Sequence, residues 1–293
     1  MDVVIEWILA PLRYPFMIRG LLAALMVGIV CATVGTYMVL RGMAFLGDAL
    51  AHAILPGVAV GYLVSGGARG PIFWWALGAG ILTALGIGAV GKGAQVKEDT
   101  AIGIIFSGMF ALGIAIISTM RGYAVDLSHF LFGNVLGVSW ADLTLTAVFG
   151  ALVLLVVFGL YKEFLLLSFD PVLAATLRVP AEFLRYLLLV LIALTIVVSL
   201  QTVGVALMVA MLITPAATAY LLTQRMATMM LLGAFIGALS GIIGLYLSYY
   251  ASVASGAAIV LVATAIFLVT LLFAPRRGLL RLWVRREEQP TTP

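Results

Sequence analysis

Nine apolar stretches, each near the roughly 20 residues that a helix needs to cross the hydrocarbon of a bilayer, take up almost all of this 293-residue chain. They lie near 17–40, 46–65, 71–91, 98–119, 140–160, 184–200, 203–222, 229–250 and 257–273. Runs such as Ala147 to Leu160 are apolar on every face, whereas a membrane barrel strand alternates. The pattern therefore predicts an all-α integral membrane protein, a polytopic bundle of about eight or nine transmembrane helices. Composition excludes an aqueous globule: 64% of residues are apolar and 10% charged, with a mean hydropathy of +1.23. Soluble domains are about half apolar and a quarter charged.

Two stretches carry helix-disrupting or polar residues. The span 203–222 contains Thr214-Pro215, and 46–65 contains Asp48, His52 and Pro56. Each is a candidate for a broken or re-entrant helix, which is tolerated only inside protein. The first span is too long for a signal-peptide core and is expected to be retained.

Basic residues favour the cytoplasmic side. With the C-terminus inside, the inner segments hold Arg41, Lys92, Lys97, Lys162, Arg178, Arg185, Arg225, Arg276, Arg277, Arg281, Arg285 and Arg286, twelve of the sixteen. The expectation is nine crossings, N-terminus out and C-terminus in, through a cytoplasmic membrane. Residues 1–16 form an interfacial segment, 17–273 the membrane domain and 274–293 a cytoplasmic tail. The net charge of +4 follows from this bias, so no nucleic-acid partner is implied. The single cysteine, Cys31, excludes an intramolecular disulfide framework and is expected to be a small core residue.

The largest polar interruption, about 161–183, separates five spans from four. Within it Pro171 suits the first position of a short amphipathic helix and Asp170 its cap, with Leu173 and Leu177 on one face. This segment, Asp170, Leu173, Ala174, Leu177 and Arg178, is expected to be a cytoplasmic coupling helix; a plain connecting loop fits the same pattern. Small residues at four-residue spacing, Gly57/Gly61 and Gly233/Gly237/Gly241, predict close helix approach. Gly86, Gly88, Gly91 and Lys92 imitate a phosphate-binding glycine loop, but Gly93 stands where Ser or Thr is needed and no strand precedes. Any nucleotide must bind another polypeptide.

Of twelve acidic residues, eleven fall in loops, tails or interfaces, and Asp48 is the exception. His52 comes one turn later on the same face. Ionisable groups in a bilayer usually face a pathway or a partner. A carboxylate and an imidazole one turn apart make a half-site for a borderline divalent ion. No Cys or Met beside them favours Cu(I), and calcium and magnesium do not favour imidazole. Two plainer roles fit the same residues: Asp48 as a helix cap and His52 as a neutral, hydrogen-bonded core residue. A proton relay is a third. The second acid–histidine pair, Asp126 and His129, reads as solvated residues of an outer loop.

Five blocks, in order, resemble the permease subunits of the bacterial manganese/zinc/iron ABC importers. They are Arg41 to His52 (RGMAFLGDALAH), Lys97 to Gly103 (KEDTAIG), Phe169-Asp170-Pro171, Leu212 to Leu222 (LITPAATAYLL) and Ser255 to Leu261 (SGAAIVL). The resemblance spans about 17–273. It implies a transport subunit, not an enzyme, with no permanently bound cofactor and a divalent metal ion as cargo. It implies a second permease subunit, identical or not, a separate cytoplasmic ABC ATPase and an extracytoplasmic metal-binding protein. It further implies that Asp48 and His52 coordinate metal within the membrane and that the loop containing Asp170 engages the ATPase; relatives often carry Gly where this chain has Arg178. Two ligands per chain would make four by symmetry, enough for a tetrahedral ion or part of an octahedron. Alternating access is the expected mechanism, and a proton-coupled secondary transporter using Asp48 is the alternative.

Overall fold

The computed structural model describes Glu6 and residues 9–66, 69–93, 96–120, 135–169 and 179–274. Among them the chain is helical. After a 3₁₀ turn at Pro11–Arg13 come α1 (Pro15–Leu40), α2 (Leu46–Ala53), α3 (Leu55–Ser65), α4 (Arg69–Gly93) and α5 (Glu98–Ser118). A second 3₁₀ turn (Val135–Gly137) leads into α6 (Trp140–Gly159) and α7 (Tyr161–Phe169). The last four helices are α8 (Ala181–Val203), α9 (Val205–Leu222), α10 (Met226–Ala251) and α11 (Ser255–Phe273). Nine spans of membrane-crossing length result, α2 and α3 together making one. The coupling residues Asp170, Leu173, Ala174, Leu177 and Arg178, and the outer pair Asp126 and His129, lie outside the described residues.

Helix ends obey local chemistry. Ser139 and Asp142 form a reciprocal capping box at the start of α6. Gly204, at φ +84°, is the single residue that separates α8 from α9, a conformation that a side chain would strain. Pro56 sits in the first turn of α3 and has no N–H for the carbonyl of His52, so the 46–65 span breaks at Ile54. Ile54 keeps helical angles, φ −76° and ψ −9°, and the span continues beyond it. Pro215, by contrast, lies inside a continuous α9, so 203–222 is neither broken nor re-entrant.

The bundle is organised round α1, which packs against α6, α8, α9 and α10. The glycine spacings serve close approach: a Cβ on Gly237 of α10 would lie 2.8 Å from the carbonyl oxygen of Gly28 on α1, and one on Gly57 would lie 2.3 Å from that of Trp75. In hydrocarbon, such close packing takes over from the hydrophobic effect as the force between helices. The false phosphate loop is part of this surface. Gly86, Gly88 and Gly91 all lie in α4, and Gly88 receives the Tyr186 ring of α8. Cys31 is fully buried, 3.3 Å from the Ser199 hydroxyl.

Polar contacts sort to the two ends of the bundle. At one end the Arg41 cap of α1, Lys92 of α4, Glu98 of α5, and Glu182 and Arg185 of α8 form ion pairs. At the other, the Gln201 amide of α8 donates to Asp142 of α6 at 3.4 Å, and the Thr146 and Thr202 hydroxyls meet at 2.8 Å. Spans that cross alternately put these residues on these sides.

Candidate functional site

Asp48 and His52 lie between the two polar ends, both on α2. Asp48 is the third residue of the helix. The N-cap position belongs to Phe45 and has no side-chain cap, so Asp48 does not cap α2. The His52 Nδ1 stands 3.0 Å from the backbone oxygen of Asp48 and 3.7 Å from its carboxylate. A carbonyl oxygen only accepts, so Nδ1 carries the proton in this hydrogen bond; in a neutral imidazole the lone pair is then on Nε2. Metal-binding histidines are oriented in the same way, one ring nitrogen tied to a carbonyl or carboxylate and the other left for the ion.

Two phenylalanines of α5 hold the ring. Phe106 and Phe110, one turn apart and stacked on each other, meet the imidazole edge-on at centroid distances of 6.4 and 5.9 Å. Phe106 comes eight positions after the first residue of α5, and Phe110 eight before the last. At about 1.5 Å per residue, each is some 12 Å from an end of the span. The imidazole therefore sits level with the middle of α5.

Neither side chain is closed off within the chain: Asp48 is 46% exposed and His52 30%. Around them α2 is apolar and packed, with Leu46, Ala49, Leu50 and Ala53 fully buried. Helix α5, whose phenylalanines meet the His52 ring, is itself lightly covered, with only 17% of its apolar stretch buried. Among the described residues no group of three or more His, Cys, Asp or Glu gathers anywhere. One chain thus sets a carboxylate and an imidazole nitrogen side by side, both partly exposed. The spacing of Asp48 and His52 is legible in the sequence. The aromatic wall is not; its only signal is Phe106 and Phe110 at four-residue spacing, which does not say what they touch.

A helical bundle with nine spans, among the described residues, long and apolar enough to cross a membrane is a multi-pass membrane protein. The chain belongs to the ABC 3 transport family, whose model matches residues 13–274. It is 49% identical to the manganese transport system membrane protein MntC of Halalkalibacterium halodurans, over 93% of this chain and 92% of that one. The manganese import system permease protein ScaB of Streptococcus gordonii is 42% identical, over 93% of this chain and 96% of its own. Among solved structures, PsaBC from Streptococcus pneumoniae in complex with Fab superposes with a TM-score of 0.81 at 40% identity, covering 96% of this chain and 99% of that one.

Proposed function

We propose that this chain is the membrane-spanning permease subunit of an ABC importer that carries a divalent transition-metal ion, manganese, zinc or iron, across the cytoplasmic membrane. The carrying observation is the half-open Asp48–His52 pair within the second span, with the His52 Nδ1 held by the backbone and Nε2 outside that hydrogen bond. Relatives named for manganese transport support the cargo class. A relative in Haemophilus influenzae, 42% identical, is named for iron transport.

The pair supplies a borderline nitrogen and a hard oxygen, a set suited to manganese, iron or zinc. A second permease copy or homologue supplies the other half, and water completes the shell. Two ligands from each chain hold the ion firmly enough to enter and loosely enough to leave. In alternating access an extracytoplasmic metal-binding protein delivers the ion at the outer face. ATP hydrolysis by a separate cytoplasmic ATPase then drives the exchange of outward and inward openings. The N-terminus lies outside and the C-terminus inside, with 1–16 at the interface, 17–273 as the permease domain and 274–293 as the tail. The segment Asp170 to Arg178, with Leu173, Ala174 and Leu177, is the contact for the ATPase. The chain itself performs no hydrolysis and keeps no permanent cofactor.

The test replaces Asp48 with Asn, which preserves volume and removes charge. Cells that express the variant at matched membrane levels with the partner ATPase should accumulate little manganese or zinc. Wild-type accumulation by D48N would remove the carboxylate from the site and end this reading of the pair.

A further inference from the structure

The ion pairs at the inner end include one carboxylate that serves two helices at once. Glu98 Oε1, in the first turn of α5, lies 3.2 Å from Nη2 of Arg41 and 3.3 Å from Nε of Arg185. Arg41 caps α1, and Arg185 is the fifth residue of α8. The cluster is partly buried: the Arg41 side chain is only 13% exposed. Arg185 reaches it by crossing α4 at Gly91, where a Cβ would lie 2.8 Å from its Nη2.

The turn after Arg41 gives this contact mechanical reach. The backbone N–H of Gly42 donates to Val39 and that of Met43 to Met38, which closes the end of α1 with Gly42 at φ +70°. The N–H of Leu46 donates in turn to Met43. Arg41 is thereby joined through a short, hydrogen-bonded turn to α2, and Asp48 comes seven residues after it. Arg185, for its part, stands in the first turns of α8, directly after the Asp170–Arg178 segment proposed to contact the ATPase.

We propose that Glu98 is a positioning residue for transport: its carboxylate ties the inner end of α8 to the α1–α2 turn, so that displacement of α8 moves the helix bearing Asp48 and His52. This rests on the proposed permease function. Lys92 and Glu182 form a natural control, because they pair α8 with α4 instead, and their side chains are 60% and 56% exposed. Their contact does not reach the α1–α2 turn.

The experiment uses the full transporter in liposomes, with its ATPase and metal-binding protein, and reads manganese ions imported per ATP hydrolysed beside equilibrium manganese binding and thermal stability. E98Q should lower ions per ATP by about tenfold, within the range of ordinary coupling energies, while manganese binding stays near the wild-type value. K92Q should leave the ratio unchanged. R41Q should reproduce E98Q and R41K should retain most of the coupling; this pair decides the matter if E98Q fails to assemble. An unchanged ratio in E98Q, or in R41Q, overturns the proposal. So does a parallel loss of binding, stability and transport, which would make the cluster a fastening of the bundle alone. Ions per ATP is read without reference to where the ion binds, so failure of the Asp48–His52 reading, seen as normal binding by D48N, shows separately from failure of the link.

Discussion

The two polar regions of the bundle handle charge in opposite ways. At one end, Arg41, Glu98 and Arg185 come from three helices and pair within the chain, one carboxylate between two guanidinium groups. Within the second span, Asp48 and His52 come from one helix, stand 3.7 Å apart and remain 46% and 30% exposed. Charges that meet opposite charge on neighbouring helices serve the assembly of the chain. An ionisable pair left partly exposed in an apolar span, where charge costs several kcal/mol, is suited to a partner from outside the chain. This contrast, more than the presence of an acid or a histidine, separates the proposed ion site from the scaffold.

Removing the open pair should have the largest effect. H52Q, which keeps a polar side chain but not the imidazole, should weaken metal binding by about a hundredfold or more. Loss of a mere supporting partner already costs about 10- to 100-fold. The double variant D48N/H52Q should be little worse than the poorer single, because ligands of one site act together. Isothermal titration of the purified transporter with manganese measures both, and additive losses would show two independent sites.

The scaffold should be broken instead by geometry. G237L sets a side chain against the backbone of Gly28, and overpacking of this kind costs about 1–3 kcal/mol. The melting temperature in detergent should fall clearly, with metal affinity unchanged in the folded fraction. A lost affinity at full stability would dissolve the distinction between the two regions.

Between these stands the aromatic wall. F110L removes one edge-on contact to the imidazole. Such contacts contribute about 0.5–1.5 kcal/mol, so manganese affinity should drop by about two- to tenfold. The smallest effect belongs to K92Q. Exposed ion pairs contribute about 0–1 kcal/mol, and its melting temperature should stay within about 2 °C of wild type.

Much of the architecture was legible because the determinants are local. Span length and hydrophobicity predicted the stretches that form nine helical spans of membrane-crossing length among the described residues, and Asp48 and His52 share a face because they are one helical turn apart. Glycines at four-residue spacing foretold the close crossings of α3 with α4 and of α1 with α10. Where local rules collide, the outcome was open. Pro56 breaks its span and Pro215 does not, since only the first stands at the start of a new helix.

By itself the sequence determined that this protein lives in a bilayer, that it has about eight or nine spans, which residues gather at each end, and that an acid and an imidazole share a helical face. These arise from transfer energies and from the 3.6-residue period, both properties of short segments. Only the tertiary structure decided that Asp48 leaves its cap role unused, that His52 leans on Phe106 and Phe110, and that Glu98 holds Arg41 and Arg185. Those contacts join residues 54 to 87 positions apart, and helices that are apolar on every side carry no local signal of which neighbour each will meet.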